Sequence, residues 1–127
     1  MGCNSEMAEL LRYKKLKAWE KCDKLANKVY ETTVIFPKEE IYALTSQLRR
    51  ASLSAPTNIV AGYSRNSKKE FHKFLTIALA SLAETGYLLE FAQAQGYLSS
   101  GHLTELDKLR DECSRMVWGL MRSQTDH

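Results

Sequence analysis

The sequence predicts an all-α protein, an up-down-up-down antiparallel four-helix bundle in which residues 1–127 form a single domain. Apolar residues recur at helical spacing over four long stretches, and only two prolines and six glycines interrupt 127 residues. The breaks in the pattern fall where a few of those residues stand. A chain of this length buries roughly two thirds of the surface its unfolded form exposes, enough for one core. Long helices joined by short turns pack as antiparallel neighbours.

The first helix is expected at about residues 8–35. Leu11, Ala18, Cys22, Leu25, Ala26, Val29, Thr33 and Phe36 fall within about 100° of the helical wheel, the width of a core-facing stripe. Trp19 and Tyr30 flank it. Another face carries Lys14, Lys17, Lys21, Lys24 and Lys28. Phe36-Pro37 should end the helix, because the residue before proline is pushed out of the α region.

The second helix is expected at about 38–62. Pro37 suits its first turn, and Glu39 and Glu40 suit the positive end of its dipole. Ile41, Leu44, Leu48, Ala51, Ala55 and Ile59 are its core positions. Pro56 costs about 3 kcal/mol in a helix interior unless the helix bends. Since the apolar spacing continues to Ile59, a bend is expected rather than a break, and Gly62 is read as the stop.

The third helix is expected at about 67–95, opened by the capping box Ser67-Lys68-Lys69-Glu70. Phe71, Phe74, Leu75, Ile77, Ala78, Leu79, Leu82, Leu88, Leu89 and Ala92 cover about 200° of its wheel, twice an ordinary stripe. Either this helix is central in the monomer or it is buried against another subunit. Gly86 in its middle hints at close helix contact. Gly96-Tyr97-Leu98 makes the next turn, with Ser99 or Ser100 as N-cap. The fourth helix, at about 100–122, carries Leu103, Leu106, Leu109, Cys113, Met116, Val117 and Leu120.

Composition narrows the class. Hydrophobic residues are 44%, charged residues 26%, and the net charge is +3, mildly basic for a globular domain. Cys3, Cys22 and Cys113 are odd in number and far apart, and His72, His102 and His127 are scattered. This speaks against a disulfide framework or zinc site and fits a reducing cytoplasm; Cys22 and Cys113 read as small core residues. No uninterrupted apolar run approaches the roughly 20 residues of a membrane span. The N-terminal residues lack both a signal-peptide hydrophobic region and a myristoylation signal.

The run Leu44-Thr45-Ser46-Gln47-Leu48-Arg49-Arg50-Ala51, then Ser54-Ala55-Pro56-Thr57-Asn58-Ile59 and Gly62, resembles the bacterial four-helix-bundle proteins encoded in intervening sequences of 23S ribosomal RNA genes. The match extends from Trp19, Leu25-Ala26, Val29-Tyr30 and Phe36 to Glu40, through Arg65, Ser67, Glu70-Phe71, Phe74-Leu75 and Ser81-Leu82, to Gly96-Tyr97-Leu98. That family is similar in fold to the accessory proteins of diversity-generating retroelements, homopentameric bundles with a basic surface that bind nucleic acid and a reverse transcriptase. The resemblance therefore implies a ring-like homo-oligomer, a pentamer, with RNA or DNA and a reverse transcriptase or other protein as partners. Ala61 departs from the pattern, standing where the family usually has a glutamate.

Two basic groups are candidate nucleic-acid contacts. One is the row Lys14, Lys17, Lys21, Lys24 and Lys28, either a phosphate-binding ridge or a solvated face. The other is Arg49, Arg50, Arg65, Lys68 and Lys69, which could converge near one end of the second and third helices. Arg binds phosphate oxygens bidentately, and a helix N-terminus adds N–H donors. Alternatively, Arg49 or Arg50 pairs with a carboxylate such as Glu84. Thr45, Gln47 and Asn58 are read as inter-helix hydrogen-bonding groups. No nucleophile elbow, Gly-rich phosphate loop or metal-ligand spacing is present. No catalytic, metal or cofactor residues are assigned. The two functional classes are a non-enzymatic nucleic-acid-binding accessory protein and an oligomeric scaffold that binds another protein.

Overall fold

The computed structural model describes Ala8 and residues 11–124. Four α-helices account for most of it: α1 Lys17–Thr33, α2 Leu44–Tyr63, α3 Lys68–Ala94 and α4 Ser100–Arg122. Short 3-10 turns at Arg12–Lys15 and Lys38–Glu40 precede α1 and α2. No strand occurs among the described residues. The helices form a four-helix bundle around a continuous core. It includes Cys22, Leu25 and Val29 of α1, Leu48, Ala55 and Ile59 of α2, Leu75, Leu82 and Leu89 of α3, and Leu106, Cys113 and Val117 of α4.

Ala8, the expected start of the first helix, is helical, but the helix is interrupted over residues 11–16 and α1 begins at Lys17. Leu16 is extended (φ −76°, ψ 121°) and separates it from the preceding 3-10 turn. Arg12, Lys14, Lys15 and Lys17 crowd this segment, and like charges at helical spacing disfavour continuation. Tyr13 instead packs edge-on against Trp19 at 5.1 Å. At its other end the apolar stripe stops with Thr33: Val34 and Ile35 are 73% and 70% exposed, while Phe36 is buried.

Pro37 starts the 3-10 turn, not the second α-helix, which waits until Leu44. Glu40 explains the delay. One of its carboxylate oxygens accepts the Leu44 N–H at 3.3 Å, and the other accepts the Tyr97 hydroxyl at 3.1 Å. That hydroxyl's pKa is raised, chiefly by the hydrogen bond to Glu40. Ile41, expected in the core, is exposed as a result.

From Leu44 the helix runs unbroken through a buried Pro56 to Tyr63. Gly62 is not a stop. It lies within α2, and its missing side chain lets α3 approach: an added Cβ would lie 2.6 Å from Phe74 Cβ. The inter-helix hydrogen bond between α2 and α3 joins the hydroxyls of Ser54 and Ser81 at 2.8 Å. Asn58 bonds within its own helix, to Ser54, and Gln47 is exposed.

The capping box opens α3 as read, with Ser67 Oγ accepting the Glu70 N–H at 3.2 Å. Its end is a Schellman motif. Gly96 takes φ 83°, its N–H reaches the Gln93 carbonyl at 2.9 Å, and the Tyr97 N–H reaches Ala92 at 3.0 Å; such a φ favours glycine. Ser99 rather than Ser100 caps α4, its Oγ accepting the His102 N–H at 3.0 Å. By length and hydropathy α3 could also cross a membrane, but Phe71, Leu75, Ala78, Leu82, Leu88, Leu89 and Ala92 bury it as a core helix. Ile77, Tyr87 and Phe91, which share another face, stay exposed in the monomer.

Candidate nucleic-acid interface

Charge is segregated along the bundle. At one end meet the turn at residues 12–15, the start of α1, the close of α2, the turn at 64–67, the start of α3 and the close of α4. Arg12, Lys14, Lys15, Lys17, Arg65, Lys68, Lys69, Lys73 and Arg122 belong to these segments, against Glu20 and Glu70. The opposite end carries Glu31, Glu39, Glu40, Glu90, Glu105 and Asp107 beside Lys38, Arg49, Arg50 and Lys108. Among the described residues one pole is strongly basic and the other mildly acidic, although the whole chain is only +3.

Aromatic rings organise the basic pole. The Arg12 guanidinium donates to the Tyr63 hydroxyl at 3.1 Å and sits 5.6 Å from that ring's centre. Tyr63 in turn packs edge-on against Phe71 at 5.5 Å. Arg65 lies over the Phe74 ring at 5.3 Å. Between these groups opens a concavity of about 590 Å³, lined by Arg12, Tyr13, Val60, Tyr63, Ser64, Arg65, Asn66, Ser67, Lys68 and Gln124.

The two expected basic groups fare differently. Lys14 lies in the 3-10 turn, so the row of five does not share one helix. From Lys17 to Lys28 the remaining row spans about 16 Å at 1.5 Å per residue. Lys17 and Lys24 are exposed, whereas Lys21 is ion-paired with Glu112 of α4 at 3.3 Å. The second group is divided. Arg50 and Arg65 stand about 22 Å apart along the helix direction, so Arg49 and Arg50 lie near the acidic pole and Arg65, Lys68 and Lys69 at the basic one.

Arg49 has a structural task. Its Nε donates to Thr33 Oγ1 at 2.8 Å, another nitrogen reaches the Tyr30 carbonyl at 3.5 Å, and the guanidinium covers the Tyr30 ring at 4.8 Å. It thus places a cation at the C-terminal end of α1, where the helix dipole is negative. No contact with Glu84 replaces this. Arg12, Lys15 and Lys73 were not singled out by spacing. The run Arg12-Tyr13-Lys14-Lys15 was the available signal, and its meaning depended on folding back beside α2.

No group of three His, Cys, Asp or Glu side chains able to hold a metal converges among the described residues. Cys22 and Cys113 are fully buried, and the Cys22 thiol is pushed far above its ordinary pKa by its hydrogen bond with Cys113 and by burial. That disfavours the reactive thiolate.

The family model for 23S rRNA-intervening sequence proteins matches residues 14–119. The chain belongs to this family. The match takes in all of α1, α2 and α3 and most of α4. A similar solved structure is the crystal structure of a protein of unknown function from the S23 ribosomal protein family of Bacteroides thetaiotaomicron. It is 19% identical, with a TM-score of 0.76 over 83% of this chain and 95% of that one. That likeness is one of fold. No curated protein matches the chain.

Proposed function

We propose that this family member is a non-enzymatic, nucleic-acid-binding bundle whose contact surface is its basic pole. The observation that carries the reading is the segregation of charge among the described residues, with Arg12, Lys14, Lys15, Lys17, Arg65, Lys68 and Lys69 gathered from four segments. Phosphate contacts from such side chains give affinity without base readout. Lys24 extends the surface along α1.

The end-to-end contacts support an up-down-up-down antiparallel order: Thr33 with Arg49, Ser54 with Ser81, and Thr76 with Met121. Exposed Ile77, Tyr87 and Phe91 on α3 support burial against further copies in a ring-like homo-oligomer. Five subunits is the number implied by the resemblance to retroelement accessory proteins. Such a ring would multiply the basic poles.

The test is binding of fluorescently labelled single-stranded RNA and DNA by the wild type and by a Lys17→Gln, Lys24→Gln, Lys68→Gln, Lys69→Gln variant. A loss of affinity of about tenfold or more is expected, since each phosphate contact contributes through counterion release. Equal affinity in the two proteins would overturn the reading. A scaffold role is favoured by a different observation, the exposure of Val34, Ile35, Ile41 and Tyr42 near the acidic pole. It predicts capture of a protein partner that Ile35→Asp abolishes and the lysine changes leave intact.

A further inference from the structure

We infer that Cys22 and Cys113 form a redox-dependent staple between α1 and α4, a dithiol at rest and a disulfide after exposure to peroxide. The inference is independent of the nucleic-acid reading.

Placement is the first ground. The two cysteines stand on the first and last helices, yet they share one core cluster and are both fully buried and free. Contacts beside them bring them level. The residues just before each, Lys21 and Glu112, pair at 3.3 Å across the seam between α1 and α4. One turn away, Ala18 and Met116 share the wall of a recess of about 450 Å³ that opens along the same seam. A step of one turn along each helix, from Ala18 to Cys22 and from Met116 to Cys113, keeps the same face. It therefore leads from the recess to the two thiols. They meet there, with the Cys22 thiol hydrogen-bonded to Cys113.

Chemistry is the second. A cysteine thiolate attacks one oxygen of hydrogen peroxide, the O–O bond breaks, and the leaving hydroxide takes up the proton that the thiol lost. The product is a sulfenic acid and a water. The neighbouring thiol then attacks the sulfenic sulfur. The S–O bond breaks, the hydroxide leaves as a second water with that thiol's proton, and an S–S bond of about 2.0 Å closes. Two thiols and one peroxide thus give one disulfide and two waters; each sulfur loses one electron and each peroxide oxygen gains one.

The pair sets the timing of this reaction. The hydrogen bond and burial hold Cys22 protonated, so attack waits until the seam parts. The half-buried Lys21–Glu112 pair at its rim does little to keep it shut. A second thiol within reach captures the sulfenic acid before another peroxide carries it to the irreversible sulfinic state. That separates this site from a single buried cysteine. Once closed, the bond ties off a loop of about 90 residues and prevents α1 and α4 from parting.

The experiment uses the full chain with Cys3→Ser, so that no third thiol takes part. The native protein is held with hydrogen peroxide for hours, treated with catalase, alkylated in denaturant and read by peptide mass spectrometry. A peptide pair joined through Cys22 and Cys113 is expected, lighter by two hydrogens than the separate thiols. By circular dichroism the oxidised protein should melt about 5 °C or more above the reduced one, and dithiothreitol should restore the lower value. Adding Cys113→Ala should remove the rise and let sulfinic acid accumulate at Cys22. Free thiols or sulfinic acid in place of the joined peptides, or a disulfide between chains, would overturn the inference. So would an oxidised protein that melts no higher than the reduced one.

Discussion

Replacing Gly62 by alanine tests how closely α2 and α3 are packed. The new Cβ would stand 2.6 Å from Phe74 Cβ, 3.0 Å from Phe71 Cδ1 and 3.3 Å from Phe74 Cγ. Carbon atoms in contact prefer about 3.5–4.0 Å, so the nearest pair overlaps by about 1 Å. Phe74 Cβ is fixed to the backbone of α3 and cannot swing aside. The two helices must part near their turn. Overpacking of this kind costs about 1–3 kcal/mol, and the better helix propensity of alanine returns about 1 kcal/mol. The net is a destabilisation of up to about 2 kcal/mol, expected near that upper value because the clash is with an atom fixed to the backbone. Gly86→Ala, in α3, is the control. It gains the same propensity but meets Arg110 Cδ and Nε at 2.9 Å, the outer part of a flexible side chain whose bond to Asp107 at 2.7 Å can be re-made, so it should be near neutral. Urea unfolding followed by circular dichroism at one protein concentration reads both as midpoint shifts at constant slope. Gly62→Ala as stable as the wild type would refute the close-packing argument.

Three further outcomes are expected. Arg49→Ala should destabilise the bundle by about 1–2 kcal/mol, through loss of its hydrogen bond to Thr33 and its cover over Tyr30, without changing nucleic-acid affinity; weakened binding with intact stability would return Arg49 to the interface. Pro56→Ala should lower stability by about 1–3 kcal/mol, because the neighbours are packed around the buried ring, and an unchanged or raised melting temperature counts against that. In a Cys3→Ser background, a thiol reagent should modify Cys22 and Cys113 only after unfolding; rapid reaction of the native protein would show that the core between α1 and α4 opens readily.

What local pattern could reveal was the set of four helices and most of their inner faces. Ser67 with Glu70 and the Ser99 cap are contacts within four residues, and such contacts are written in adjacent letters. The starts of α1 and α2 were not. The start at Leu44 depends on Glu40, whose second oxygen meets Tyr97 fifty-seven positions away. Gly62 looked like a stop because glycine often ends helices; its role as a close-approach site needs α3 beside it. The basic interface was half legible. Arg65, Lys68 and Lys69 are neighbours in sequence, but Arg12 joins them only through Tyr63. Arg49, attractive as an Arg pair with Arg50, is committed to the end of α1.

The salt dependence of binding tests the proposed function most directly. For wild-type protein on single-stranded RNA, log affinity should fall linearly with log salt concentration, at about −0.7 per phosphate neutralised. Changing Lys17, Lys24, Lys68 and Lys69 to Gln should flatten that slope by roughly 2–3, with the helical signal unchanged. A variant that keeps the wild-type slope would contradict the assignment of the basic pole as the nucleic-acid surface.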